Sequence, residues 1–253
     1  VLEPIPEDWP GGYDRVVLDS VGSTLDEAAQ RFETLRRPLW LMAREQTKAR
    51  GRRGRPWLAP KGNFAATLVL PLVEPPEKTA LRSFVAALAL HEAVTSLTGR
   101  AEGLTLKWPN DVLLNGGKLA GILLEGMNRK GQTGLSIGIG VNLLEAPVPE
   151  EVEARALHPV SLLAETGAKV SQEEMLNALA VAYAAHEVTF RTFGFGPIRQ
   201  AWLQRASHVG QQITARFGNT ELTGIFETVD EKGHLVLATG ATRHRIAAAD
   251  VFF

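Results

Sequence analysis

The chain has 253 residues, with 27 Lys and Arg against 28 Asp and Glu, six His and no Cys. A net charge of -1 argues against general affinity for nucleic acid or membranes, and the missing thiols exclude disulfides, thiolate metal centres and a thioester-forming nucleophile. A 45% hydrophobic and 22% charged composition is that of a globular protein, long enough for one large domain or a large one with a small one.

Val1 to Asp8 is acidic and proline-broken, without a signal-peptide pattern. No apolar run approaches the roughly 18 residues of a membrane span. The expectation is a cytoplasmic protein with no membrane partner. Arg15 to Asp19 alternates as a strand. Ser23 and Thr24 then precede Asp26 and Glu27 as two overlapping capping boxes, opening a helix with Leu25, Ala28, Ala29, Phe32 and Leu35 on one face. A hydroxyl pair there could also turn toward a ligand, but taken singly each residue reads as a cap.

Between the apolar runs Leu39 to Ala43 and Phe64 to Val73 lies a cationic loop. Lys48, Arg50, Arg52, Arg53 and Arg55 fall within eight residues with no acid among them, jointed by Gly51 and Gly54. Such a loop can be a solvated surface, an AT-hook (Arg53-Gly54-Arg55-Pro56), or an anion clamp whose guanidinium forks meet phosphate or carboxylate. Because the loop lacks its own counter-charge, it is expected to stay mobile until an anionic ligand orders it.

Glu74-Pro75-Pro76-Glu77 marks a connection, followed by a helix from about Lys78 to Leu97 with Leu81, Phe84, Val85 and Leu88 buried and Gly99 as its stop. A β-rich block comes next: Leu104 to Trp108, Val112 to Leu114, an Asn115-Gly116-Gly117 hairpin turn, Lys118 to Glu125, and Thr133 to Leu143. Pro147 and Pro149 end it. Residues 159 to 206 read as helices, most clearly Gln172 to Phe193. From about Gly210 short strands take over, at Gln212–Phe217, Glu221–Val229, His234–Ala238 and Arg243–Ile246. A boundary near 207 is expected, giving domains 1–206 and 207–253.

Four familiar patterns fail on context. Gly134-Leu135-Ser136-Ile137-Gly138 has the spacing of a nucleophile elbow but continues as a strand. Gly138-Ile139-Gly140 lacks a third glycine and a following helix, and Gly116-Gly117-Lys118 lacks the rest of a P-loop. His91-Glu92 has no second His one turn on. More coherent is the strand face Gly138, Gly140, Asn142, bare enough for a flat group to approach, with Asn142 placed to read its edge. Trp57 offers a stacking surface. Lys107 points away from the apolar face of Leu106 and Trp108. Lys118 is expected on the face of Ala120 and Ile122, where a bare ammonium wants an anion.

These stretches, Gln46 with Arg50-Gly51-Arg52-Arg53-Gly54-Arg55-Pro56-Trp57, Lys107-Trp108-Pro109-Asn110-Asp111, Lys118-Leu119-Ala120-Gly121-Ile122-Leu123 and Gly138-Ile139-Gly140-Val141-Asn142, resemble the biotin–protein ligases, of the type without an N-terminal DNA-binding domain. The resemblance runs from about residue 15 to the C-terminus. It implies an α/β (α+β) fold: a mixed sheet with helices like the class II aminoacyl-tRNA synthetases, plus a small C-terminal SH3-like β-barrel. It implies MgATP-dependent formation of biotinyl-5′-AMP, then transfer of biotin to a lysine of a biotin carboxyl carrier protein. By position, Ser23, Thr24, Leu25, Gln46, Arg50, Gly51, Arg52, Lys118 and Gly121 would hold biotin. Trp57, Asn110, Asp111 and Asn142 would hold ATP, with Asp111 toward Mg²⁺. Lys118, Arg52 and Lys107 would be catalytic. Leu25 stands where the family usually has Asn, and Ala49 where Gly is common. A lipoate ligase and a DNA-binding protein are the alternatives, nucleic acid is not an expected partner, and a homodimer is left open.

Overall fold

The computed structural model describes residues 6–148 and 157–253; Val1 to Ile5 and Pro149 lie outside them. A seven-stranded mixed sheet forms the frame, in the order β1(Asp14–Val21), β2(Leu39–Gln46), β3(Phe64–Pro71), β7(Gln132–Val141), β6(Gly117–Arg129), β5(Asp111–Leu114), β4(Leu104–Lys107). β1 and β2 run parallel and the other neighbours antiparallel. Alternation along each strand sorts the side chains into two cores. Trp40, Met42, Phe64, Ala66, Leu68, Ile137 and Ile139 join the large core on one face. Leu39, Leu41 and Val69 face the other way, against Ala28 and Phe32 of the segment that starts with α1(Thr24–Arg31).

The large core is capped by helices. α2(Pro76–Ala80) and α3(Arg82–Thr98) replace the single helix expected there, with Leu81 joining them, and Gly99 ends α3 at φ 67 as anticipated. By length and apolar composition Pro76–Thr98 could cross a bilayer, contrary to the sequence expectation. Yet 67% of its most apolar window is buried inside the protein, so it serves here as the core helix. α4(Leu162–Thr166), α5(Gln172–Phe193) and α6(Phe195–Leu203) follow. Ser171 starts α5 with a full capping box.

Two local features bear on the cleft. Asn115 (φ 50) and Gly116 (φ 81) form the expected two-residue turn into β6. Immediately after it the register slips: Leu113 pairs with Lys118 but Val112 with Ala120, so Leu119 is an extra, bulged residue. The bulge turns Lys118 away from the buried side of Ala120 and Ile122 and onto that of Gly121, correcting the alternation read from sequence.

Residues beyond 207 build a five-stranded antiparallel sheet in the order β11(Thr242–Ile246), β10(Leu235–Thr239), β9(Thr220–Val229), β8(Gln212–Phe217), β12(Asp250–Phe252). The three-residue β12 was not anticipated. The apolar core runs through residue 207 without a break, since Phe226, Leu235 and Leu237 belong to the same cluster as Phe84 and Trp202. Trp108 Nε1 also donates to the Gly233 carbonyl at 3.0 Å. The sheet changes near 207; the core does not.

Candidate active site

On the face opposite the large core, a cleft of about 620 Å³ is enclosed by the start of α1, the arginine loop, the glycine side of β6 and β7, and β12. All the residues expected from sequence to form a site, from Ser23 to Asn142, line this one cleft. Separate stretches of chain meet there because β6 pairs with β7 from Ala120 onward and sets Gly121 opposite Gly140.

The glycines make the floor. A Cβ on Gly140 would stand 2.7 Å from Trp57 Nε1, and one on Gly121 3.2 Å from the same indole. A Cβ on Gly138 would meet Leu25 at 3.0 Å. The flat group that the bare strand face admits is therefore the protein's own Trp57, with Lys118 Nζ 5.5 Å from its ring centroid. Leu25 is buried against Gly138, which gives it a packing role that its departure from the family pattern did not suggest.

At the mouth of α1 the hydroxyls do not cap. Ser23 makes no capping bond; its Oγ accepts instead from Arg50 Nη1 at 3.4 Å. Thr67 Oγ1 donates to Thr24 Oγ1 at 2.9 Å, and Thr24 donates to Gln46 Oε1 from Oγ1 at 2.9 Å and from its backbone N–H at 2.7 Å. This chain uses the carbonyl end of Gln46 and leaves its two N–H donors as the end that can meet a ligand.

The loop is not without counter-charges, as the sequence had suggested; they come from elsewhere. Arg50 donates to both oxygens of Glu125 at 3.0–3.2 Å and to Asp26 at 2.7 Å. The hydrogen bond to Glu125, against the cost of burial, holds its pKa above the usual arginine value. Arg50 thus faces two carboxylates, a correction to its expected reach toward a ligand. Arg52 donates through Nη2 to the Ala249 carbonyl and to Asp250 Oδ1, both at 2.9 Å, and through Nη1 to Asn110 Oδ1 at 3.4 Å. Burial lowers its pKa, and Asp250 and Asp111 oppose that shift. Arg53 and Gly54 turn in left-handed backbone (φ 57 and 71), so the Arg53–Pro56 segment is a folded turn rather than an extended DNA-binding strand.

Lys118 Nζ meets Asp111 at 2.8 Å. Lys107 is driven toward the neutral form by burial, with Asp111 resisting and Lys118 and Arg52 adding to it. Asn110 donates to the Ile122 carbonyl. Asn142 donates to the Val160 carbonyl at 3.0 Å, and its Oδ1 is buried with no hydrogen-bond partner among the described residues. Among the described residues no three His, Asp or Glu side chains gather as a metal cage. The ionic lining is Arg50, Arg52, Arg55, Lys107 and Lys118 against Asp111 and Asp250. This five-to-two excess of cations, over an indole platform and an orphaned acceptor, suits a flat, polyanionic ligand.

Sequence reasoning missed Asp26, Glu125 and Asp250. Asp26 read as part of a capping box, and Glu125 and Asp250 lie 75 and 198 positions from the arginines they meet, so only the fold reveals the pairings.

Comparison with known proteins agrees with this geometry. The biotin/lipoate A/B protein ligase family model matches residues 17–142, and that of the biotin protein ligase C-terminal domain matches 208–253. The chain is 49% identical over 238 residues to the biotin–[acetyl-CoA-carboxylase] ligase of Paracoccus denitrificans, covering 94% of this chain and 99% of that one. It is 31% identical to the Mycobacterium tuberculosis protein of the same name, covering 83% and 77%. The solved biotin protein ligase of Aquifex aeolicus in complex with biotin and ATP superposes with a TM-score of 0.79 at 25% identity, covering 94% of this chain and 98% of that one.

Proposed function

The chain belongs to the biotin protein ligase family, and we infer from that premise how its own residues divide the reaction. The enzyme is an ATP-dependent ligase. Biotin's carboxylate attacks the α-phosphorus of ATP, giving biotinyl-5′-adenylate and pyrophosphate. The amine of a carrier lysine then attacks the acyl carbon, forming the amide and releasing AMP. Both steps concentrate negative charge where carboxylate and α-phosphate meet.

Lys118 and Arg52 both line the cleft and neutralise the charge as it builds. Lys118 is held in place by Asp111 at 2.8 Å, and the bulge at Leu119 keeps it on the cleft side. Lys107, largely dehydrated, faces the outgoing phosphates. Thr24, Gln46 and Ser23 supply polar contacts to the biotin end, with Gly121 giving room and Leu25 the apolar wall. Arg50 acts from behind, tied to Glu125 and Asp26 and donating to Ser23 Oγ. The adenine lies by Trp57, with the unpartnered Asn142 Oδ1 accepting from its amino group. Asp111 would be the carboxylate to hold a magnesium ion bound with the triphosphate, where the metal would help neutralise the phosphates; one carboxylate plus substrate phosphates is an ordinary magnesium site. The protein substrate is the carrier domain of a biotin-dependent carboxylase. Residues 207–253 form a module of their own sheet that completes the cleft through β12.

The observation that carries this reading is the five-to-two excess of cations lining the cleft. Pyrophosphate exchange into ATP tests it: exchange should require biotin and stay at background with lipoate. Equal exchange with lipoate would make the enzyme a ligase for the other carboxylate, and none with either would remove the activation step.

A further inference from the structure

Inside the large sheet, one hydroxyl stands where the pattern calls for an apolar side chain. Along β3, Ala66, Leu68 and Leu70 enter the large core, while Val69 belongs with Leu39 and Leu41 on the other face. Thr67 shares that second face by alternation, pairs with Leu41 and Gly138 across the sheet and is completely buried. It is not among the residues that line the cleft. A hydroxyl in such a place is costly unless it is bonded, and its partner is Thr24 Oγ1 at 2.9 Å.

The direction of that bond is fixed from the far end of a short chain. The Thr24 backbone N–H can only donate, and it meets Gln46 Oε1 at 2.7 Å, so the carboxamide oxygen faces Thr24. Thr24 Oγ1 gives its single hydrogen to the same oxygen at 2.9 Å, which makes Thr67 the donor to Thr24. Both acceptor positions of Gln46 Oε1 are then filled, leaving the Nε2 hydrogens as what Gln46 can offer. On Thr24 Oγ1, Thr67 takes one acceptor position and the other remains. Gln46 and Thr24 both line the cleft. This end of it therefore presents donors beside an acceptor, the complement of a ureido group, whose carbonyl accepts and whose N–H groups donate. Lipoate's dithiolane ring has neither.

We propose that Thr67 is a positioning residue for biotin, holding Thr24 and Gln46 from behind the cleft wall in the polarity that fits a ureido ring. The proposal rests on the reading of the cleft as the biotin and ATP site. A methyl group in place of the hydroxyl cannot keep the 2.9 Å separation from Thr24 Oγ1, because carbon and oxygen pack farther apart than hydrogen-bonded oxygens. Thr24 then shifts, and its contacts to the ring weaken. Since Thr67 acts through Thr24, the loss falls on the KM for biotin and spares both kcat and ATP.

Thr67→Val keeps the shape without the hydroxyl, and Thr67→Ser keeps the hydroxyl. In pyrophosphate exchange, Thr67→Val should raise the KM for biotin about tenfold, the scale of one hydrogen bond, with kcat and the KM for ATP within about twofold. Its urea midpoint should not fall, since valine suits the apolar row. Thr67→Ser should stay within about twofold of wild type for both substrates. Thr67→Ala and Thr67→Ser isolate the same oxygen should valine not pack: by calorimetry the alanine variant should bind biotin about tenfold more weakly than the serine variant. An unchanged KM for biotin in folded Thr67→Val, or equal biotin affinity in the alanine and serine variants, would overturn the proposal. So would equal rises in KM for biotin and ATP, the mark of a loosened sheet. Absence of exchange with biotin in wild type would strike the reading of the cleft instead.

Discussion

Behind the sheet, Arg82 is wholly buried on α3 and serves two carboxylates; in front of it, Asp250 is half in the cleft and serves four guanidiniums. Arg82 donates to Glu187 from Nε and Nη2 at 2.8–3.1 Å and to Glu74 from Nη1 at 2.6 Å, and it lies 5.0 Å from the Phe190 ring centroid. Tyr183 donates its hydroxyl to Glu187 at 3.3 Å. Burial opposes the charge on Arg82, but Glu187 and Glu74 overcome it and hold the guanidinium more firmly protonated than usual. Nearby, burial first and Glu187 second push the Tyr13 hydroxyl up to about 12. This network has acceptors to match its donors, and its Arg82–Glu187 centre is sealed from solvent with no cleft beside it, so it holds shape. At Asp250 donors outnumber the acceptor and the cleft lies alongside, so the contacts can be exchanged for those of a ligand. Stoichiometry and exposure, not residue type, separate a brace from a binding device.

The largest expected effect breaks the brace. Arg82→Met should lower unfolding free energy in urea by about 3–5 kcal/mol, because Glu187 stays buried without its partner. Adding Glu187→Leu should recover much of that loss, since the uncompensated charge goes with it. A single variant as stable as wild type would show that the back network contributes no more than a surface pair.

Next comes the front of the molecule, where chemistry and stability should part company. Lys118→Ala should slow adenylate formation by about 3 kcal/mol in the transition state, roughly a hundredfold or more. Lys118 is 29% exposed on the cleft wall, so the unfolding free energy in urea should change by no more than about 1 kcal/mol. Near-normal exchange by folded Lys118→Ala protein would remove it from the mechanism.

The same contrast marks what the sequence could disclose. Strands, the Asn115-Gly116 turn and the Gly99 stop follow from local pattern, and the cleft residues stood in ordered motifs along the chain. What escaped depends on distant neighbours. The face of Lys118 was misjudged because a bulge at Leu119 is a property of strand pairing, not of alternation. Ser23 fits a capping box, yet its hydroxyl meets Arg50. Arg82 is one charge within an apolar helix, and nothing near it names Glu187. Asp250 is separated from Arg52 by 198 positions and sits in a strand too short to signal itself. The loop's charges were legible; the acid that gathers them was not.

The smallest expected effect isolates the most exposed of the arginines around Asp250. Arg53 has a side chain 51% exposed, more than Arg50, Arg52 or Arg55, although it makes the shortest contact to Asp250. In Arg53→Gly three modest contributions nearly cancel. Relief of left-handed strain stabilises the loop by about 1–2 kcal/mol. Loss of an exposed ion pair costs about 0.2–1 kcal/mol, and the added freedom of glycine in the unfolded chain costs roughly 0.5–1 kcal/mol. Stability should therefore stay within about 1 kcal/mol of wild type by urea denaturation, from the balance of those terms. Arg52 and Arg55, which line the cleft, keep their bonds to Asp250, so the KM for ATP should stay within about twofold. A tenfold rise in KM with unchanged stability would instead place the strained Arg53, rather than the better-buried Arg52, among the groups that meet the nucleotide.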